Sequence, residues 1–168
     1  ADELYGNAET NTFNGGGGAD IIQGRGDADI LTGGTGSDTF KFTLGDSGLP
    51  SANNVDIITD YAKGAVGTGD KIDFVPALTI GGSTAVATTN QAQINAATGV
   101  ATFAAGSGLT LADALADINA SFNANANSTG DFAFFEIGGN GNNYMLISDG
   151  VAGIGANDVL IQLTNVTS

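Results

Sequence analysis

Carboxylate or amide side chains recur every ninth residue at the start of this chain, at Asp2, Asn11, Asp20, Asp29 and Asp38. Each is followed two positions later by a large apolar residue: Leu4, Phe13, Ile22, Leu31 and Phe40. The residues between are rich in glycine. A glycine loop can take positive φ angles and turn its carbonyl oxygens inward, and an Asp adds a charged oxygen, so the pattern reads as a series of calcium seats. Other chemistry is poorly supplied. The chain has no His and no Cys, which excludes a histidine-based triad or an HExxH zinc site within these residues. Asp131 and Glu136 form the one carboxylate pair that suggests glycoside hydrolysis, and exposed strand acids explain them equally well.

The seats need elements to hold them in register. Written from its first glycine, the nine-residue unit runs over Gly6–Asn14, Gly15–Gln23, Gly24–Thr32 and Gly33–Lys41, preceded by a half unit. Six residues make the loop and three a short strand whose middle side chain points inward, hence Leu, Phe or Ile at that slot. Two units complete one turn, so that loops eighteen residues apart lie on one another with room for an ion between them. A flexible glycine linker is the bland alternative, but a linker has no reason to keep an apolar residue at every ninth position. Arg25-Gly26-Asp27 spells an adhesion tripeptide; the repeat already accounts for its Gly and Asp.

The unit Gly33–Lys41 fits G-G-x-G-x-D-x-U-x throughout, and the segment resembles the RTX nonapeptide, the repeat of calcium-loaded parallel β-rolls in bacterial proteins exported by type I secretion. The resemblance implies a ligand set. The earlier loop of a stacked pair gives the carbonyls of its second and fourth residues and its Asp; the later gives its first and third carbonyls and its Asp. The best-formed seat would therefore join Gly16, Gly18 and Asp20 with Gly33, Thr35 and Asp38. A second would join Asp2 with Gly15, Gly17 and Asp20. A third would join Asn7, Glu9 and Asn11 with Gly24, Gly26 and Asp29; there Asn11 replaces an Asp, Glu9 and Asp27 replace glycines, and Arg25 adds a positive charge.

Composition agrees with a cation-dependent, exported domain. Among 168 residues there are 18 acids and 4 bases, and all four bases lie before residue 75. A net charge of −14 argues against nucleic acid or an anionic membrane as partner. Without cysteines there are no disulfide staples, so metal would fasten the fold instead. No run of 18 apolar residues is present to form a transmembrane helix. The chain begins inside a repeat without Met, as expected of a piece of a longer protein.

Beyond Phe40 the sequence VDIITDYAKGAVGTGDKIDF reads as strand and loop, with Val55, Ile57 and Tyr61 alternating against polar neighbours. It is similar to the end cap of the same family, D-x-I-x-D-F…G-x-D-K-I-D, which implies Asp56 and Asp70 as further calcium ligands. Short strands are expected near Leu78–Ile80 and Val100–Phe103. Thr110 caps a helix whose Leu111, Leu115, Ile118 and Phe122 share one face. Strands at Asp131–Ile137, Asn143–Ser148 and Asp158–Leu163 follow, the first two joined as a hairpin by GGNGN. The apolar, hydroxyl-rich ending DVLIQLTNVTS is similar to the uncleaved C-terminal export signal of RTX proteins.

The expected fold is mainly β: a short parallel β-roll over residues 1–47, then a β-rich C-terminal cap with one amphipathic helix and the secretion signal over 48–168. The expected function is that of a non-enzymatic, calcium-binding module of a secreted surface-layer or adhesin-like protein, unfolded for export and folded by calcium outside the cell. Its expected partners are calcium ions, the type I secretion apparatus, and neighbouring copies or cell-surface polysaccharide. The alternatives are the tail of a secreted hydrolase, or of another extracellular enzyme, whose catalytic domain lies elsewhere, and a polysaccharide-binding module using Tyr5, Tyr61 and Tyr144.

Overall fold

A computed structural model describes residues 1–48, 54–64, 68–78, 93–94, 100–103, 110–124, 129–137 and 142–166. The repeats form five short strands: β1 (Glu3–Tyr5), β2 (Thr12–Asn14), β3 (Ile21–Gln23), β4 (Ile30–Thr32) and β5 (Thr39–Thr43). Successive units alternate between two sheets. One sheet has the order β1-β3-β5-β7, with β7 at Lys71–Val75, and all its pairings are parallel. The other runs β10-β11-β12-β6-β4-β2, adding β6 (Asp56–Ile58), β10 (Phe132–Ile137), β11 (Asn142–Ile147) and β12 (Val159–Leu163). Its β2, β4, β6 and β12 are mutually parallel, whereas β10 and β11 are antiparallel additions. The roll's sheets thus continue past residue 47 into strands from the C-terminal region.

The inward residue of each strand builds the core between the sheets. Leu4, Ile22, Phe40 and Ile72 stand in one register row, and Phe13, Leu31, Ile58 and Leu163 in the other. Ile22, Leu31, Phe40 and Ile58 are completely buried, and Phe42, Phe74, Met145, Ile147, Val159 and Ile161 extend the same cluster. Each full burial of this kind stabilises the fold by about 1.5–3 kcal/mol. The expected inward residue of β6 was Ile57. The inward residue is Ile58 instead, because β6 begins on an Asp and repeats the Asp-x-apolar phase of the nonapeptides; Val55 packs on the opposite, helix-side core and Tyr61 beside the roll core.

The second core lies on the outer face of β10–β12. Helix α1 (Leu111–Ala124) lays Ala114, Leu115, Ile118 and Phe122 against Val55, Ala133, Phe135, Leu146 and Leu160, with Leu111 packed at the margin. Its start is a reciprocal cap: Asp113 N–H donates to Thr110 Oγ1 at 3.2 Å, and Thr110 N–H donates to Asp113 Oδ2 at 3.0 Å. Thr110→Ala should cost about 1 kcal/mol in urea denaturation at saturating calcium, without changing calcium stoichiometry.

The C-terminal strands lie within a residue of their expected bounds, and β10 and β11 pair antiparallel as a hairpin whose 138–141 connection lies outside the described residues. Strand β9 (Ala101–Thr102) falls within the expected Val100–Phe103 and pairs with β8 (Gln93–Ile94). Leu78 packs on the roll core without strand structure, and 79–80 lie outside the described residues. The ending is not a pendant tail: β12 is an interior strand, with Val159, Leu160, Ile161 and Leu163 buried. Among the described residues no helix is long and apolar enough to cross a membrane.

Candidate calcium site

Parallel pairing fixes the loops as well as the strands. With Ile21 opposite Thr39 and Ile30 opposite Ile57, the residue before each strand stacks on its counterpart one turn away. Two columns result: Asp2, Asp20, Asp38 and Asp70 along one edge of the roll, and Asn11, Asp29 and Asp56 along the other. Hydrogen bonds knit each column. Oδ1 of the later residue accepts the main-chain N–H of the earlier: Asp2 to Asp20 at 2.5 Å, Asp20 to Asp38 at 2.9 Å, and Asp38 to Asp70 at 2.9 Å. In the second column Asn11 donates to Asp29 at 2.7 Å and Asp29 to Asp56 at 2.8 Å. The loops between touch too, since Thr35 N–H donates to Gly16 O at 2.9 Å and Gly18 N–H to Thr35 O at 2.8 Å. A carbonyl has a second lone pair, so these bonds leave Gly16 and Thr35 able to accept again.

Asp56 and Asp70 are drawn into the columns by the same Asp-x-apolar phase, Asp56-Ile57-Ile58 and Asp70-Lys71-Ile72. Their spacing breaks the eighteen-residue rule. Counting by nines from Asp38 reaches Ser47 and then Asp56, which would place Asp56 on Asp38. It stacks on Asp29 instead, with Ile57 opposite Ile30. Ser47, at the skipped slot, accepts the Leu160 N–H at 2.9 Å. Beyond Asp56 the slot is filled by Ile161, which ends the column with an apolar residue.

Asp20, Asp29, Asp38 and Asp56 are each at most 1% exposed, and the Oδ2 atom of every one is buried without a hydrogen-bond partner. Burying a carboxylate without a partner is costly, so four in one small roll call for a positive charge. Desolvation pushes the Asp56 carboxyl up to about 9, with the neighbouring Asp29, Asp46 and Asp27 carboxylates adding to it and the Asp29 N–H opposing. Asp29 rises to about 6 and Asp38 also rises, both chiefly from burial.

The space beside those oxygens is kept open by the first glycine of each unit. A Cβ on Gly15 would sit 2.6 Å from Asp20 Oδ2 and 2.7 Å from Gly33 O; one on Gly24 would strike the Asp29 carboxylate, and one on Gly33 that of Asp38. Carboxylate and next-turn carbonyl therefore face one small oxygen-lined gap. No three carboxylates cluster to hold an ion among the described residues, so main-chain oxygens must complete any ligand set. That chemistry fits calcium, which takes six to eight oxygens, carbonyls included. The expected ligands Gly16, Gly18, Asp20, Gly33, Thr35 and Asp38 lie in stacked loops, as do Gly15 and Gly17 with Asp2, and Gly24, Gly26 and Asp29 with Asn11.

The second and fourth slots of the loop demand positive φ. Gly16, Gly18, Gly34 and Gly36 take values from 84° to 144°, and Arg25 (72°) and Asp27 (69°) are forced into the same region. The Arg25 guanidinium lies 5.9 Å over the Tyr5 ring, and Asp27 Oδ1 accepts a hydrogen bond from Asn54 Nδ2 at 2.7 Å. Arg25→Gly relieves the strained angle and removes a positive charge from the loop that ends at Asp29. It should lower the calcium concentration at half-folding about twofold to threefold, read by circular dichroism.

Asp60, an acidic slot of the end-cap pattern to which the resemblance assigns no ligand role, accepts the Gly33 and Gly34 N–H groups on Oδ1 and Oδ2 at 3.0 and 2.8 Å and so fixes the loop ahead of Asp38. Asp131 is buried and Glu136 exposed. Asp131 stands just before β10 and Glu136 within it, an odd number of positions apart, which sets them on opposite faces and not as a facing carboxylate pair. Tyr61 packs beside the roll core and Tyr144 beside the helix-side core, stacked 5.4 Å from Phe135, so the tyrosines do not line one platform.

No curated protein and no solved structure matches the chain. A family model does match: the RTX calcium-binding nonapeptide repeat, in four copies over residues 5–40. Repeats of this kind are structural calcium-binding modules; Asn11, Asp20, Asp29 and Asp38 of the columns lie within the matched residues, and Asp2, Asp56 and Asp70 outside them. Residues 5–40 are thus matched as RTX calcium-binding nonapeptide repeats, and repeats of that kind bind calcium ions.

Proposed function

We propose that this chain is a non-enzymatic, calcium-responsive C-terminal module of a type I-secreted surface-layer or adhesin-like protein, with its roll in residues 1–47 and its cap and export signal in 48–168. The observation that carries this reading is the set of four buried carboxylate oxygens without partners. Without calcium at neutral pH, carboxylates stacked on successive turns repel, and the glycine loops lose the most chain entropy on ordering. The chain then stays extended, as passage through a narrow channel demands. Apart from the Ala1 ammonium, 3.3 Å from Asp20 Oδ1, the columns hold no ion-paired cation among the described residues, and bound calcium supplies the positive charge. Outside the cell, near millimolar calcium, seats with affinities of about 10⁻⁴ to 10⁻³ M fill and draw the equilibrium to the folded form. Because β12 is an interior strand, the export segment is accessible only before the sheets close.

Far-UV circular dichroism tests this. Chelator-treated protein titrated with calcium should gain β signal cooperatively, and magnesium should not replace calcium, since its small octahedral shell is reluctant to give up water. A fully folded spectrum in chelator at neutral pH would refute the export-coupled reading.

A further inference from the structure

The nine-residue pattern makes the rungs look alike; their hydrogen bonds do not. Asp20 and Asp38 are consecutive rungs of the first column and each carries a buried, unpartnered Oδ2; Asp29 and Asp56 have the same relation in the second. Every other rung departs from this. Asp70 uses both oxygens on main-chain donors, Asp38 N–H at 2.9 Å and Ala62 N–H at 2.7 Å. Asp2 is exposed. Asn11 contributes no negative charge, and its Oδ1 accepts the Asn7 N–H of its own loop at 3.0 Å. Asn7 Oδ1 in turn accepts the Glu9 N–H at 2.8 Å. In the corresponding Gly15–Asp20 loop, the fourth-residue N–H, that of Gly18, donates across to Thr35 O instead. Neither Asn7 nor Glu9 takes the positive φ that the second and fourth slots adopt in the other three loops.

We infer that the roll holds two full cation seats, one in each column, Asp20 with Asp38 and Asp29 with Asp56, and that the Asn7–Asn11 loop is closed by its own amides and holds none. Two carboxylates per seat balance one divalent ion. A seat built from Asn11 and Asp29 would offer a single negative charge, and the side-chain oxygens of Asn7 and Asn11 already accept N–H groups of their own loop. The second seat joins a residue inside the matched repeats to one sixteen positions beyond them, a pairing that follows from the Asp56 stacking and not from the nonapeptide count.

The inference rests on the calcium reading above, and ion counting separates the two. Native mass spectrometry of the whole chain at saturating calcium should show two specifically bound ions. Asp56→Asn, which keeps the shape and removes the charge, should show one, with the calcium needed for half-folding raised at least tenfold. Asp38→Asn should likewise lose one, and Asn11→Ala should keep both. Three or more ions on the unaltered chain, or two retained by Asp56→Asn, would overturn the two-seat assignment while leaving calcium binding intact. No bound ion at all would overturn the calcium reading itself. The count on the unaltered chain decides the matter even if a variant fails to fold.

Discussion

Calcium-free protein should become less stable as the pH rises from 5 to 9, whereas the calcium-loaded protein should not. The Asp56 carboxyl stands at about 9 in the folded chain and that of Asp29 at about 6, against an ordinary value near 4 when unfolded. Both are raised, so between these limits the folded state binds more protons than the unfolded one. Stability is then fully present only below the unfolded value and is lost as pH climbs through about 6 for Asp29 and about 9 for Asp56. Asp38, raised by burial as well, adds in the same direction. Calcium reverses the dependence because its ligands must be deprotonated, so binding releases protons and strengthens with pH. Chelated protein should show a folded β signal and a cooperative thermal melt at pH 5 and lose both by pH 9. Calorimetry at pH 5 in two buffers of different ionisation enthalpy should reveal at least one proton released per chain on calcium binding. Equal melting at both pH values without calcium would show that the buried carboxylates do not control the calcium-free state.

That behaviour depends on residues which the sequence made legible only in part. Ile22, Leu31 and Phe40 were readable as core because each sits two residues after a periodic Asp, and parallel stacking needs that phase. Gly15, Gly24 and Gly33 were readable as loop glycines that lend carbonyls, but not as the residues that leave room beside the carboxylate five positions on. Asp56 and Asp70 entered through a resemblance to an end cap, but their partners did not. Counting by nines gives Asp56 the wrong neighbour: it stacks on Asp29, and Ser47, nine positions before it, accepts a hydrogen bond from Leu160 over a hundred residues away. Such long-range exchange leaves no local periodic signal. The inward choice of Ile58 over Ile57 has the same origin: alternation sets the spacing of a strand's faces, whereas the preceding Asp sets which face is which. Helix α1 was legible throughout because cap and stripe are both local.

A large effect of a single added carbon is expected at Gly33. Its Cβ would strike Asp38 Oδ2 and come within 2.9 Å of Asp38 Cγ and 3.0 Å of Asp38 Cβ. Gly33 is not held at positive φ, so alanine meets no backbone obstacle and the whole effect is collision with that carboxylate. To make room the Asp38 side chain must rotate, which breaks its bond from the Asp20 N–H at 2.9 Å and takes Oδ2 out of the gap. Gly33→Ala should therefore cost about 1–3 kcal/mol at saturating calcium. It should also raise the calcium concentration at half-folding by at least tenfold, because one charged ligand is misplaced. Gly155 supplies the comparison: a Cβ there meets nothing within 4 Å, and the N–H that donates to Asp158 Oδ2 at 2.7 Å survives substitution. Gly155→Ala should change stability by no more than about 0.5 kcal/mol and leave the titration in place. Parallel calcium titrations and urea melts of the two variants read both quantities. Equal behaviour would mean that the gap beside Asp38 is not where the ion binds, since the two substitutions differ chiefly in what the new methyl group meets.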